Sequence, residues 1–154
     1  MSVLQNCVFG FFAISISITD VKTHKIRNRT LLLFTGTIVV SSFIPSSAEL
    51  NPFAGIQFLT IFSLLHVLSN SVRESGGIGF GDVKLVAVLA FAFFDSGVQS
   101  LAIFFIALWL ALLAHTSLYF LIYRKFPRRI ALAPDIFLAS GLYLYAPIAL
   151  LLPQ

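Results

Sequence analysis

The chain has 154 residues, of which 58% are hydrophobic and only 10% charged, and its mean hydropathy is +0.98. So little polar surface excludes a water-soluble globular protein. The net charge of +4 does not indicate nucleic-acid binding, because the basic residues form no single patch. At about 20 residues per span there is room for about six transmembrane helices and little else. We therefore predict an all-α fold, a polytopic membrane helix bundle forming one integral-membrane domain over residues 1–154.

The first three predicted spans cover residues 3–19, 30–44 and 52–68. No basic residue precedes the first span and several follow it directly, which is the reverse of a secretory signal peptide. This span is therefore predicted to be a retained helix whose end faces the cytoplasm. Asp20 closes it at the start of a short basic loop, and Pro45 ends the second span.

The last three predicted spans cover residues 82–94, 98–123 and 130–152. The fourth span is short: at a rise of 1.5 Å per residue it covers about 20 Å of a hydrocarbon core about 30 Å thick, so it begins or ends below a membrane face. Asp82 lies in its first turn. Because an aspartate inside a bilayer costs roughly 2.5 to 3.5 kcal/mol, Asp82 is a candidate functional residue.

The basic residues lie in alternate loops or at the edges of those loops. They are Lys22, Lys25, Arg27, Arg29, Arg73, Lys84, Arg124, Lys125, Arg128 and Arg129. The positive-inside rule then predicts that the loops after spans one, three and five are cytoplasmic and that both termini lie outside. Asp20 and Asp82 are expected to share the cytoplasmic face.

Two carboxylates held close together in a low dielectric are expected to titrate as a unit that shares one proton near neutrality. The ionised member can take a proton from water while the protonated member polarises the carbonyl of a peptide bond, and this requires no metal, cofactor or covalent intermediate. The positive end of the helix dipole favours the ionised form of Asp82, which is therefore predicted to be the base. Gly79 and Gly81 just before it allow a positive φ and a close approach of another chain segment.

The sequence GFGD at residues 79–82 resembles the GxGD signature of type IV prepilin peptidases, which supplies one of their two catalytic aspartates. Asp20 matches the other. In that family the first aspartate precedes a segment that often closes with Ile-Pro-Asn, and residues 26–28 match it with Arg27 in place of the proline. A later family motif, similar to Pro-Phe-Gly-Pro, is loosely echoed by residues 131–134.

The resemblance implies a membrane-bound aspartic endopeptidase that removes the short basic leader from a prepilin or pseudopilin at the cytoplasmic face of the cell membrane. Larger members carry two CxxC pairs and methylate the new pilin terminus, whereas this chain has the single cysteine Cys7. We therefore expect the small form, similar to those of Flp or tight-adherence pili, without N-methyltransferase activity. The implied partners are the prepilin and the lipid bilayer, with pilus-assembly machinery as a further candidate, and the oligomeric state is left open. The implied site consists of catalytic Asp20 and Asp82 with supporting Gly79, Gly81, Lys84 and Asn28.

Other interpretations of these residues stay open at this point. Lys84 could tune the acid pair or meet the substrate, or it could be a topological charge that reaches to the interface. His66 and His115 are interpreted as helix-packing residues, and Asp135 as a helix-start residue. Paired membrane acids also relay protons, so the chain could be a proton-coupled transporter, or a non-catalytic subunit of a pilus or secretion machine.

Overall fold

The structure, a computed structural model, describes residues 3–44, 49–72, 77–125 and 130–146. Within these ranges there is no strand, and the predicted all-helical fold is confirmed. The helices are α1 Val3–Thr23, α2 Asn28–Ser42, α3 Pro52–Val72, α4 Phe80–Phe93, α5 Val98–Tyr123 and α6 Leu132–Tyr145.

Three of these helices are long and apolar enough to cross a membrane, namely α1, α5 and the part of α3 over Pro52–Ser71. Helix α6 is a shorter apolar helix. Large apolar side chains on the outer surface, such as Phe11, Leu64 and Trp109, are exposed. Extended exposed apolar surface of this kind suits contact with lipid, as the composition predicts for a membrane protein. The total of six spans and the outward termini stay predictions.

The short helix α4 lies at the centre of the bundle. It packs against α3, α6 and α2, while α1 and α5 both pack against α6. Six of its side chains are fully buried, which explains why so short a helix carries almost no polar residue beyond its first turn. These are Val83, Leu85, Val86, Leu89, Ala90 and Ala92.

The end of α1 differs from the prediction. Asp20 does not close the helix, which continues to Thr23. The hydroxyl groups of Thr19 and Thr23 donate to the carbonyls of Ser15 and Thr19 at 2.9 and 2.8 Å, so these polar residues satisfy their hydrogen bonds within the helix. His24, with φ 49°, ends it. The fall in hydropathy at Asp20 therefore marks the end of the apolar run and not the end of the helix.

Neutral hydrogen bonds tie the helices together where α4 ends and α3 and α5 begin. The Asn51 side chain accepts a hydrogen bond from the Ala54 N–H at 3.1 Å and donates to the Phe94 carbonyl at 3.3 Å. The Gly97 N–H, at a residue with φ 130°, donates to Gln57 Oε1 at 2.9 Å. We call this end of the bundle the far end, and the end where α4 starts the acid end.

Candidate active site

Asp20 lies in the last turn of α1 and is buried, with 5% of its surface exposed. Its Oδ2 accepts a hydrogen bond from the backbone N–H of Ala133 at 3.0 Å. Ala133 is in the first turn of α6, where backbone N–H groups have no acceptor within their own helix. The carboxylate of Asp20 therefore occupies the N-terminus of α6, where the helix dipole favours a negative charge.

Asp82 is in the first turn of α4, as predicted, and is half-buried. Its Oδ2 accepts a hydrogen bond from the N–H of Gly79, the N-cap residue, at 3.2 Å. A carboxylate three residues after the N-cap often reaches back in this way to satisfy a free N–H group of the helix start. Asp82 is thus positioned by the start of its own helix.

The structure brings Asp20 and Asp82 together at the acid end. Their carboxylates are close enough for the two charges to interact. Each also lies at a helix N-terminus, Asp20 at that of α6 and Asp82 at that of α4. The dipole argument that singled out Asp82 therefore applies to both acids. Over the described residues, no group of three or more His, Cys, Asp or Glu side chains is placed to hold a metal ion.

The two glycines of the motif serve close approach and not unusual backbone angles. Gly79 has φ −70° and Gly81 is helical, so the predicted use of a positive φ is not found. A Cβ on Gly81 would lie 3.1 Å from the Cβ of Ile26, and one on Gly79 would lie 2.9 Å from Asp82 Oδ2. The first turn of α4 therefore packs directly against the segment between α1 and α2 because it lacks side chains there.

Lys84 and Asn28 connect the two sequence motifs. Lys84 Nζ donates to Asn28 Oδ1 at 3.2 Å and also lies 4.8 Å from the centre of the Phe80 ring. This bond joins α4, near its start, to the first turn of α2. The ammonium group is thus held toward α2 by a neutral amide and an aromatic ring.

His66 and Ser69 on α3 hold the backbone that leads into α4. His66 Nδ1 lies 2.6 Å from the carbonyl oxygen of Ile78, and Ser69 Oγ accepts from the Ile78 N–H at 3.1 Å. Ile78 immediately precedes Gly79, so α3 fixes the residue from which the loop enters the site. The sequence interpretation of His66 as a helix-packing residue missed this contact. The position of His66 near the predicted end of span three, one helical turn before the polar Asn70, could have indicated that it contacts the following loop.

His115 and Asp135 form a hydrogen-bonded pair that the sequence analysis also missed. His115 Nδ1 lies 2.9 and 3.0 Å from the two carboxylate oxygens of Asp135. Asp135 is 3% exposed and lies in the first turn of α6. Both residues lie toward the predicted cytoplasmic ends of consecutive spans. This shared position could have indicated from sequence that they contact each other.

A family model described as the type IV leader peptidase family matches residues 7–145. This range includes both acids, the glycine motif and the described helices almost to their limits. Comparison of the chain with curated proteins finds no match, and neither does comparison with solved structures.

Proposed function

Because the chain belongs to the type IV leader peptidase family, we propose that it is an aspartic endopeptidase that removes the short basic leader of a prepilin or pseudopilin. The reaction is hydrolysis of one peptide bond by water activated between Asp20 and Asp82. The proposal places this site at the cytoplasmic face of the membrane and gives the protein no methyltransferase activity.

The observation that supports this mechanism most strongly is that carboxylates from two separate helices lie within electrostatic range of each other. Asp20 reaches the site from α1 and Asp82 from α4, and 62 positions separate them in the chain. Each is oriented by a backbone N–H group, from Ala133 and Gly79 respectively. Pairs of this kind can share one proton, which is the state that acid–base hydrolysis needs.

The two acids differ in access to water. Asp20 is buried, whereas Asp82 is half-buried. The more accessible Asp82 is therefore the better placed to meet the attacking water and the scissile bond. Whichever acid is ionised takes a proton from that water, while the protonated one polarises the scissile carbonyl. Breakdown of the tetrahedral intermediate then returns a proton to the leaving amine, and the pair regains its single shared proton.

The charges around the acid end fit a site at the cytoplasmic face, and the physics of helices in lipid fits cleavage at the boundary of an apolar helix. Exposed Lys22, Lys25, Arg27 and Arg29 flank it, which by the positive-inside rule favours a cytoplasmic location. A peptide bond within a membrane helix is shielded, because its hydrogen bonds cannot be replaced in lipid. A boundary near the headgroups can unwind, so the cleaved bond is expected where the leader meets the apolar helix.

The test is co-expression of the chain with a prepilin encoded beside its gene, followed as a mobility shift of the prepilin. Asp20→Asn and Asp82→Asn should each lower the rate of cleavage by about 10³-fold or more, since an amide cannot act as acid or base. Asp95→Asn is the matched control, because Asp95 is an exposed acid just beyond the other end of α4.

Membrane abundance of each variant is measured on the same samples. Cleavage by the wild type and Asp95→Asn alone, at equal abundance, would support the peptidase. Full cleavage by both site variants would contradict the mechanism. If proton flux and not cleavage depends on the two acids, the transporter interpretation replaces it.

A further inference from the structure

A second polar pair, the partly exposed His115 with the buried Asp135, lies next to the helix start that contacts Asp20. Asp135 is almost completely buried, and both its oxygens face His115 Nδ1 at 2.9 to 3.0 Å. A buried carboxylate is costly unless a partner compensates it, and removing one member of such a pair is usually more damaging than replacing both. The pair therefore joins the first turn of α6 firmly to α5.

The first turn of α6 is bonded on a second side as well. Two residues before Asp135, the Ala133 N–H donates to Asp20 Oδ2 at 3.0 Å. Ala133 is fully buried, and its N–H belongs to the set that has no acceptor in its own helix. One helical turn of α6 thus contacts α5 through a side chain and α1 through a backbone donor.

These two contacts are mechanically coupled because the turn that carries them is rigid. A rotation or shift of α6 that moved Asp135 away from His115 would also move the Ala133 N–H relative to Asp20. Hydrogen-bond strength falls steeply with angle and distance, so a small displacement would leave the carboxylate of Asp20 free to turn. Misplacement of a catalytic group by about 1 Å can cost about 100-fold in rate.

We propose that His115 and Asp135 are positioning residues for Asp20, acting by fixing the start of α6 so that the Ala133 N–H orients the Asp20 carboxylate toward Asp82. This inference rests on the proposed peptidase function for its catalytic consequence. Its structural part, the dependence of the Ala133–Asp20 bond on the His115–Asp135 pair, is independent of that function.

The experiment compares three variants of the full chain in detergent micelles. Asp135→Leu removes the pair, Asp135→Asn keeps an oxygen that can accept from His115, and Tyr145→Phe is the matched control. Tyr145 donates to Asn6 Oδ1 at 2.7 Å, so it also joins α6 to α1 but at the far end. If Asp135→Leu does not accumulate, the double variant His115→Leu with Asp135→Leu replaces it, since apolar replacement of both members of a pair is often better tolerated than the loss of one.

Two readouts are measured on each variant: hydrogen exchange of the Ala133 amide by NMR, and kcat and KM for prepilin cleavage. Loss of the pair should speed exchange of the Ala133 amide by about tenfold, the equivalent of one hydrogen bond. It should lower kcat by about 100-fold with KM within about twofold. Asp135→Asn should recover most of both, and Tyr145→Phe should change neither.

Two results would overturn the proposal. The first is a folded variant without the pair that keeps the wild-type exchange rate at Ala133. The second is an equal loss of kcat in Asp135→Asn and Asp135→Leu, because it would assign the effect to the charge of Asp135 and not to the positioning contact. If the wild type cleaves no prepilin, the peptidase function fails separately, and exchange at Ala133 still decides whether the pair holds this bond.

Discussion

The two ends of α4 are both fixed by polar contacts, but with different chemistry. At the far end Asn51 and Gln57 bond to backbone groups, and the Tyr143 hydroxyl accepts from the Asp95 N–H at 3.1 Å. These groups are neutral, and the carboxylate of Asp95 is exposed. At the acid end, backbone groups are bonded by the carboxylates of Asp82 and Asp20.

Neutral amides and hydroxyls satisfy a buried backbone group at little cost, whereas a carboxylate must also be desolvated. The far end demonstrates that this bundle can join its helices without buried charge. Stability alone therefore does not account for the two acids, and substitutions at the two ends should separate effects on stability from effects on activity.

The largest effect is expected at Gly81, where the start of α4 packs against the segment between α1 and α2. Gly81→Val places a branched side chain against Ile26, since a Cβ at residue 81 would already lie 3.1 Å from the Cβ of Ile26. This substitution should lower the free energy of unfolding by about 3 kcal/mol. Denaturation in mixed detergent micelles measures this. Adding Ile26→Ala should recover part of the loss, because the two side chains compete for one space.

Gly36→Ala is a control for adding a side chain at a helical glycine, since nothing lies within 4 Å of a Cβ at Gly36 in α2. It should stabilise the protein by about 0.5 to 1 kcal/mol, the usual gain of alanine over glycine in a helix. Equal effects at Gly81 and Gly36 would show that close packing at the acid end is not needed.

A smaller effect, and one on stability only, is expected at the far end. Asn51→Ala removes the side-chain cap of α3 and the donor to the Phe94 carbonyl, which together should cost about 2 kcal/mol. The kcat per folded molecule should stay unchanged, because the acid end is untouched. A fall in kcat larger than the fall in folded fraction would mean that the two ends are coupled.

The smallest effect is expected for Arg27→Pro. Arg27 is the N-cap of α2 and has φ −74° and ψ 126°, within the range that a proline ring imposes. The substitution should therefore change the free energy of unfolding by less than about 1 kcal/mol and leave cleavage intact. A strongly destabilised variant would show that the loop depends on the Arg27 N–H or side chain.

Much of this arrangement follows from local sequence, and the rest depends on contacts that sequence spacing does not reveal. The bounds of α5 and the place of Asp82 in the first turn of α4 were predicted correctly, because hydropathy and glycine signals are local. The continuation of α1 past Asp20 was not, since polar residues end an apolar run without ending a helix. The role of Gly81 in packing depends on Ile26, a neighbour distant in the chain.

The polar partners of the site were the least predictable part. His115 and Asp135 are 20 positions apart, and each alone has an ordinary interpretation as a helix residue. Ala133 has no polar side chain, so no sequence pattern could mark its backbone N–H as the partner of Asp20. Only the packing of α6 against α1 creates that contact.

That contact also sets a time for the site to form during synthesis. Asp20 is translated before its donor at Ala133, which follows 113 positions later. A nascent chain that has inserted only α1 to α5 carries the Asp20 carboxylate without the backbone N–H that orients it. The acid pair therefore reaches its complete form only after α6 has been inserted.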